Sequence, residues 1–496
     1  MDDAACEDGR VRVFDARAAA LVSGAVILIV ETLTTRLVAP YVGLTLEATT
    51  AVIGVALGGI AAGAALGGRL ADRRRPRSVV VGGLTVGGLG VLAVRPVVRV
   101  LGPLVGQGPS AAVVLVACAT LPAIIALAVV GPAVTRAVLN EVAGAGRIIG
   151  SLAAAGTVGS LVGTFAAGFV LVALFPVGVI LFVCAGACLL LAALMATKRP
   201  RRKVAITATT AALLGTLLTW VPGRCDIETT YYCAQVEGGV LPTERILVLD
   251  DLRHSFVDLS DPRRLEFAYT RRFADAIDTS LPGGEAVDAV HLGGGGFTMP
   301  RWLAATRPGT RSTVLELDKG VVELGRRELG VDEISGVSTR IGDARASLAA
   351  LPDRSADLVI GDAFGARSVP WHLATTEFVA DVSRVMRPRG LYVLNVIDQY
   401  PHSLLWSVTA TVSTKFWQVA VLVRPDQLGR RQGGNAVVVA TNGALDLAQL
   451  EDRAAARGEP GSVLGGREIF PRTEGHEVLT DDHAPTDQLA ARGRLG

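Results

Sequence analysis

Apolar residues run almost unbroken from Ala18 to about Pro222, and from Gly223 onward they fall into short runs separated by charged residues. A bilayer crossing needs about 20 mainly apolar residues. The first region supplies such stretches near 18–39, 48–71, 78–101, 110–132, 148–173, 175–197 and 204–221. The last, AITATTAALLGTLLTWVP, is the shortest and carries several threonines. The first is too long for a signal peptide, has no clear small-residue cleavage site and is followed at once by further spans, so it reads as a retained helix. Beyond 286 the period changes. VDAVHL (287–292), TVLEL (313–317), ADLVIGD (356–362), LYVLNVI (391–397), QVAVLV (418–423) and NAVVVAT (435–441) read as strands. Between them, KGVVELGRREL and TTEFVADVSRVM have helical spacing. Alternating strands and helices imply a parallel sheet with helices on both faces.

The expected organisation is therefore a tail over 1–17, a multi-pass α-helical membrane domain of about seven helices over 18–222, a small β-rich part over 223–285, and an α/β Rossmann-like domain over 286–496. Composition agrees. Half of the 496 residues are hydrophobic and the mean hydropathy is +0.45, which suits one part in lipid and one in water. The net charge of +2 gives no nucleic-acid footprint. A lipid bilayer is the first partner implied, and a homo-oligomer is left open.

Charge placement orients the chain. Arg69, Arg73, Arg74, Arg75 and Arg77 follow the second span, Arg136 and Arg147 flank the loop after the fourth, and Lys198 to Lys203 follow the sixth. All three loops fall on one side, which the positive-inside rule makes cytoplasmic. With the 204–221 span counted, the soluble half emerges outside. Gly59, Gly63 and Gly67 in span two, and Gly159 and Gly163 in span five, allow close helix approach. Their recurrence three spans apart suggests a 3+3 repeat, either for packing alone or for transport. Glu31 and Arg36 lie within the first span, where charge is costly. Arg36 is close enough to the end to snorkel. Cys225 and Cys233 read either as an extracytoplasmic disulfide or as two free thiols, and no metal-ligand spacing is present.

The chemistry gathers around VHLGGGGFTMP. Gly293 to Gly296 follow a strand directly, and a helix is expected from near Thr298, with Pro300 tolerated in its first turn. Glycines there let a ligand touch backbone. The next strand ends in Glu316, placed to accept ribose hydroxyl hydrogens. Asp343 and Asp362 close two further strands, where ligands sit in this fold class. Each alone could equally be a turn or cap residue.

The stretches LVLDDLRHSFVDLSDPRRLEFAYT, VHLGGGG, VLELD, IGDARASL and DLVIGDAF resemble spermidine synthase, an aminopropyltransferase with a methyltransferase-type fold. The apolar half joined to them, with VLTDDHAPTDQL near the C-terminus, resembles the membrane-fused bacterial form. The resemblance implies decarboxylated S-adenosylmethionine as co-substrate, no tightly bound cofactor, and a small-molecule amine as acceptor. It assigns Gly293, Gly294 and Gly295 to the nucleoside loop, Glu316 to the ribose and Asp343 to the adenine. Asp362 becomes the base on the attacking amine, and Tyr269 and Tyr231 belong to the amine pocket. The chain departs from the family at Gly296, Gly365, Thr270 and Tyr232, where aspartate, aspartate, histidine and glutamine are usual. The alternatives are a catalytically impaired nucleoside- or polyamine-binding module on a membrane bundle, and a transporter with a regulatory domain. Asp481, Asp482 and Asp487 are candidates to restore acidity to the amine pocket, or are simply an exposed acidic tail.

Overall fold

The computed structural model describes residues 13–42, 46–105, 109–139, 145–196, 202, 206, 225–250, 252–364, 369–429 and 433–491. Two compact units result, Met1–Cys233 and Ala234–Gly496. The expected span at 204–221 and the departure at Gly365 lie outside the described residues.

In the first unit, six helices among the described residues are long and apolar enough to cross a membrane: Val13–Val42, Ala48–Arg73, Pro76–Leu101, Ser110–Val138, Ala145–Leu171 and Val177–Met195. The fourth breaks between Ala128 and Val130. Pro132 explains the break, because its ring excludes the hydrogen bond to the carbonyl of Ala128. The glycine pattern packs as the sequence suggests. A methyl on Gly63 would lie 2.5 Å from the Ile125 carbonyl oxygen, and one on Gly67 2.7 Å from that of Val129. Span two thus lies backbone to backbone on span four. Likewise, Gly163 faces the Ala25 carbonyl at 2.5 Å, so span five lies on span one. Each half therefore sets its second span against the first span of the other, the reciprocal contact of a 3+3 repeat. Gly163→Val is expected to push spans one and five apart and cost about 1–3 kcal/mol, read as a lower unfolding temperature in detergent. Gly168→Val, with open space where the methyl would go, should leave it unchanged.

The two ends of this bundle are chemically different. Arg77 Nε donates to the Met195 carbonyl at 2.8 Å, so span six ends beside the arginine-rich turn. At the far ends of spans one and three, Arg36 donates to the Thr229 carbonyl and Arg95 pairs with Glu228 at 2.8 Å. Glu228 also accepts from the Val177 backbone at the start of span six. Arg36 thus has a carbonyl partner at the helix end. Glu228 belongs to a two-residue strand, β1 (Ile227–Glu228). A disulfide joins Cys225 to Cys233 rather than two free thiols.

The second unit begins with β2 (Cys233–Gly238), β3 (Glu244–Leu249) and β4 (Leu252–Asp258), paired antiparallel in sequence. A helix, Ala268–Ser280, follows. Next come β5 (Asp288–Leu292), β6 (Arg311–Glu316), β7 (Val337–Ile341), β8 (Ala356–Gly361), β9 (Met386–Asp398), β10 (Gln418–Leu422), β11 (Gly434–Thr441) and β12 (Val463–Gly465). Their order is β12-β10-β11-β9-β8-β5-β6-β7. The sheet is mixed, which corrects the all-parallel expectation. Strands β5 to β9 run parallel, whereas β11 is antiparallel to β9 and β10 to β11. An apolar run alone does not tell direction. The buried helix Ser403–Val412 crosses from β9 to β10, which run in the same direction; the chain reverses only after β10, where β11 returns between them. Helices Thr298–Thr306, Lys319–Glu328 and Thr376–Val385 stand where their spacing puts them.

Candidate nucleoside and amine site

The glycine loop leaves β5 in a tight turn. Gly293 has φ +91° and a methyl there would lie 2.7 Å from the Asp362 carbonyl oxygen. Gly295 has φ +48°, and the fully buried Phe297 is also left-handed at φ +58°. The Phe297 N–H closes the turn on the Gly294 carbonyl at 2.8 Å, and the Thr298–Thr306 helix begins at once. Non-glycine residues rarely adopt this conformation. The buried ring of Phe297 holds it in place.

Glu316, at the end of β6, reaches this loop. One carboxylate oxygen accepts from the Gly294 N–H at 2.7 Å and from Gly295 at 3.4 Å; the other accepts from Asp318 at 2.9 Å. Burial pushes its carboxyl up, opposed by those backbone donors. A carboxylate offers about four acceptor positions, so three backbone donors leave one open to a ligand hydroxyl.

Asp362 follows β8. Tyr269 Oη donates to one of its oxygens at 3.0 Å, and Asn395 Nδ2 to the other at 3.0 Å. Asn435 Nδ2 in turn donates to Asn395 Oδ1 at 3.0 Å. Burial pushes the Asp362 carboxyl up to about 6, against the pull of the Asn395 and Tyr269 hydrogen bonds. The Tyr269 phenol is pushed well above its ordinary range by burial and by Asp362, so it remains a donor. His291, inside β5, is driven down to about 3 by burial and is neutral; its Nε2 meets Ser312 Oγ at 3.1 Å.

Gly293, Gly294, Gly295, Tyr269 and Asp362 line one cavity of about 300 Å³, with Asn395 and Asn435. Glu316 stands behind its glycine wall. The other sequence-chosen residues go elsewhere. Asp343 accepts from Ala346 N at 2.9 Å as the cap of Ala344–Ala349, and pairs with His372 at 2.9 Å. Tyr231 lies in the first unit, inside the Cys225–Cys233 loop, and is 41% exposed. Asp481 is held by Arg345 at 2.6 Å and by Thr375, and none of Asp481, Asp482 and Asp487 lines the cavity. Asn395 and Asn435 were missed. For Asn395 a signal was available, because an asparagine buried inside an apolar strand must find a partner; Asn435, half-buried at the head of its run, gave none.

No protein-family model matches the chain. Over 181 residues it is 26% identical to the polyamine aminopropyltransferase of Vibrio vulnificus (strain CMCP6), covering 35% of this chain and 58% of that protein. Over 145 residues it is 28% identical to the "probable polyamine aminopropyl transferase" of Bifidobacterium longum (strain NCC 2705), covering 28% of this chain and 32% of that one. The chain thus spans less than two thirds of either relative. Among solved structures, a "probable spermidine synthase" from Corynebacterium glutamicum ATCC 13032 is 25% identical, with a TM-score of 0.48, covering 53% of this chain and 97% of that one. The fold is that of a mixed α/β domain preceded by six long apolar helices among the described residues. The C-terminal half is thus similar, at low identity, to polyamine aminopropyltransferases.

Proposed function

We propose that the chain is a membrane-bound aminopropyltransferase that moves the aminopropyl group of decarboxylated S-adenosylmethionine to an amine. The observation that carries this reading is Asp362, held between Tyr269 and Asn395 on the wall that the glycine loop shares. Glu316 and the loop amides would hold the ribose, with Gly295 at 3.4 Å the backbone donor most easily exchanged for a hydroxyl. Asp343 has one oxygen on the helix cap and one on His372, so an adenine amino group would be read at the edge of that pair.

The reaction balances simply. The acceptor ammonium gives a proton to Asp362, and its nitrogen lone pair attacks the carbon next to sulfur. The N–C bond forms and the C–S bond breaks, its electron pair neutralising the sulfonium, and methylthioadenosine leaves. Asp362 then passes the proton to water. Positioning by Tyr269 and Asn395 fixes the carboxylate for proton transfer. The test is methylthioadenosine release by the full chain in nanodiscs.

The membrane unit bears on where this happens. Met195 lies at the arginine-rich end of the bundle and Glu228 at the other. A disulfide between Cys225 and Cys233 also suits an oxidising compartment. Both observations support an extracytoplasmic C-terminal unit. A tag after Gly496 is then expected to be cut by protease in intact cells; protection until permeabilisation would reverse the orientation. The same disulfide favours the second reading, a binding module without turnover, because the adenosyl donor is made in the cytoplasm. That reading expects nucleoside binding and no methylthioadenosine.

A further inference from the structure

We infer that the acceptor is a primary amine with one cationic nitrogen on an apolar body, and not a diamine. The inference rests on the transfer reading of the same site.

Among the described residues that line the cavity, Asp362 supplies the one carboxylate. The wall beyond it is neutral. Asn395 and Asn435 present amides, and Phe267, Met299 and Ile397 present apolar surface. The lining guanidinium of Arg253 has the wrong sign for an ammonium. Behind Asn435 the charge is again unsuitable: the buried Arg272 donates to the Asn435 carbonyl at 2.9 Å, and its carboxylate partner, Glu459, lies on the guanidinium at 3.0 Å. Among the described residues, no acid faces the cavity from that direction.

The glycine loop adds none either. The Gly296 N–H is bound to Ser255 Oγ at 2.8 Å, and a methyl on Gly296 would lie 2.6 Å from Ser255 Cβ. Ser255 from β4 occupies the space that an acidic side chain at this position would need. The loop and the β4 strand are matched to each other in a form that excludes the carboxylate.

A diamine would bring two ammonium groups to a wall whose described residues hold one counter-charge. Desolvating the second without a partner is strongly unfavourable. A monoamine places its only charge at Asp362 and lays its methylene groups on Phe267, Met299 and Ile397, each buried CH₂ contributing about 0.8 kcal/mol. The product is then an N-alkylated 1,3-diaminopropane, with the bonds and proton moving as in the transfer above.

The test compares n-hexylamine with 1,6-diaminohexane. Both are titrated calorimetrically into the full chain in nanodiscs saturated with methylthioadenosine. The monoamine is expected to bind at least tenfold more tightly. Equal or tighter binding of the diamine overturns the inference, as does binding of neither. Asn435→Asp, checked for an unchanged unfolding temperature, should move the ratio at least tenfold toward the diamine; an unmoved ratio also counts against it. Because binding is measured without the donor, a failure of transfer chemistry with the same two amines is read separately, as methylthioadenosine formation.

Discussion

Asp362→Asn is expected to slow aminopropyl transfer by about 10²–10⁴-fold, the range over which a positioned proton acceptor contributes, and to leave donor affinity unchanged. The carboxyl sits at about 6, so in the parent protein the rate should climb about tenfold per pH unit below that value and level off above it. The variant should lose this limb altogether. Stability should not follow activity. Because the folded-state value lies above the ordinary 3.8, the folded protein binds this proton more tightly than the unfolded chain. Its favourable contribution is full below about pH 4 and is lost as pH rises through 6, a swing of about 3 kcal/mol. At pH 7.5 the uncharged amide removes that disadvantage, and its carbonyl and amino group still meet Asn395 and Tyr269. The unfolding temperature of the variant should therefore equal or exceed that of the parent. A variant that is both inactive and markedly less stable would mean that Asp362 is a structural group.

The second large effect belongs to Glu316. Glu316→Gln keeps the shape of the side chain but replaces one acceptor oxygen with an amino group. That group would face either the Gly294 and Gly295 donors or the Asp318 donor. Loss of a charge-assisted hydrogen bond is worth about 1.5–3 kcal/mol, so affinity for methylthioadenosine should fall about 10- to 100-fold by calorimetry. At saturating donor the rate should change little, which separates this residue from Asp362. A variant with unaltered affinity would remove Glu316 from nucleoside recognition and leave it as a brace for the glycine loop.

The parts legible in the sequence are those with local causes. Six spans could be read because uninterrupted apolar length has few other uses. The glycine loop, the helix from Thr298 and the ends of β6 and β8 could be read because turn chemistry and strand period are local. Strand direction was not local: β11 looks as apolar as β8, and only its antiparallel pairing between β9 and β10 marks the return. The site divided in the same way. Asp362 and Tyr269 lie ninety-three residues apart in sequence and share a hydrogen bond. That contact follows from the resemblance to a family, not from periodicity. Asn395 and Asn435 were passed over as strand residues, although the polarity of Asn395 inside an apolar run required a partner. Asp343 went the other way. Its position after β7 suggested a ligand, while its oxygens are engaged by a helix cap and His372, the competing use of aspartate at such a place. The membrane glycines were read correctly as contact points, and their partners, spans four and one, came only from the packed bundle.

The central claim is chemical transfer at Asp362. The most direct measurement is a single-turnover experiment with the full chain in nanodiscs, saturated with decarboxylated S-adenosylmethionine and given n-hexylamine at pH 8. The expected result is one methylthioadenosine per chain together with the aminopropylated amine, and neither from Asp362→Asn. Bound donor recovered intact from the parent protein, with no methylthioadenosine, would contradict the account.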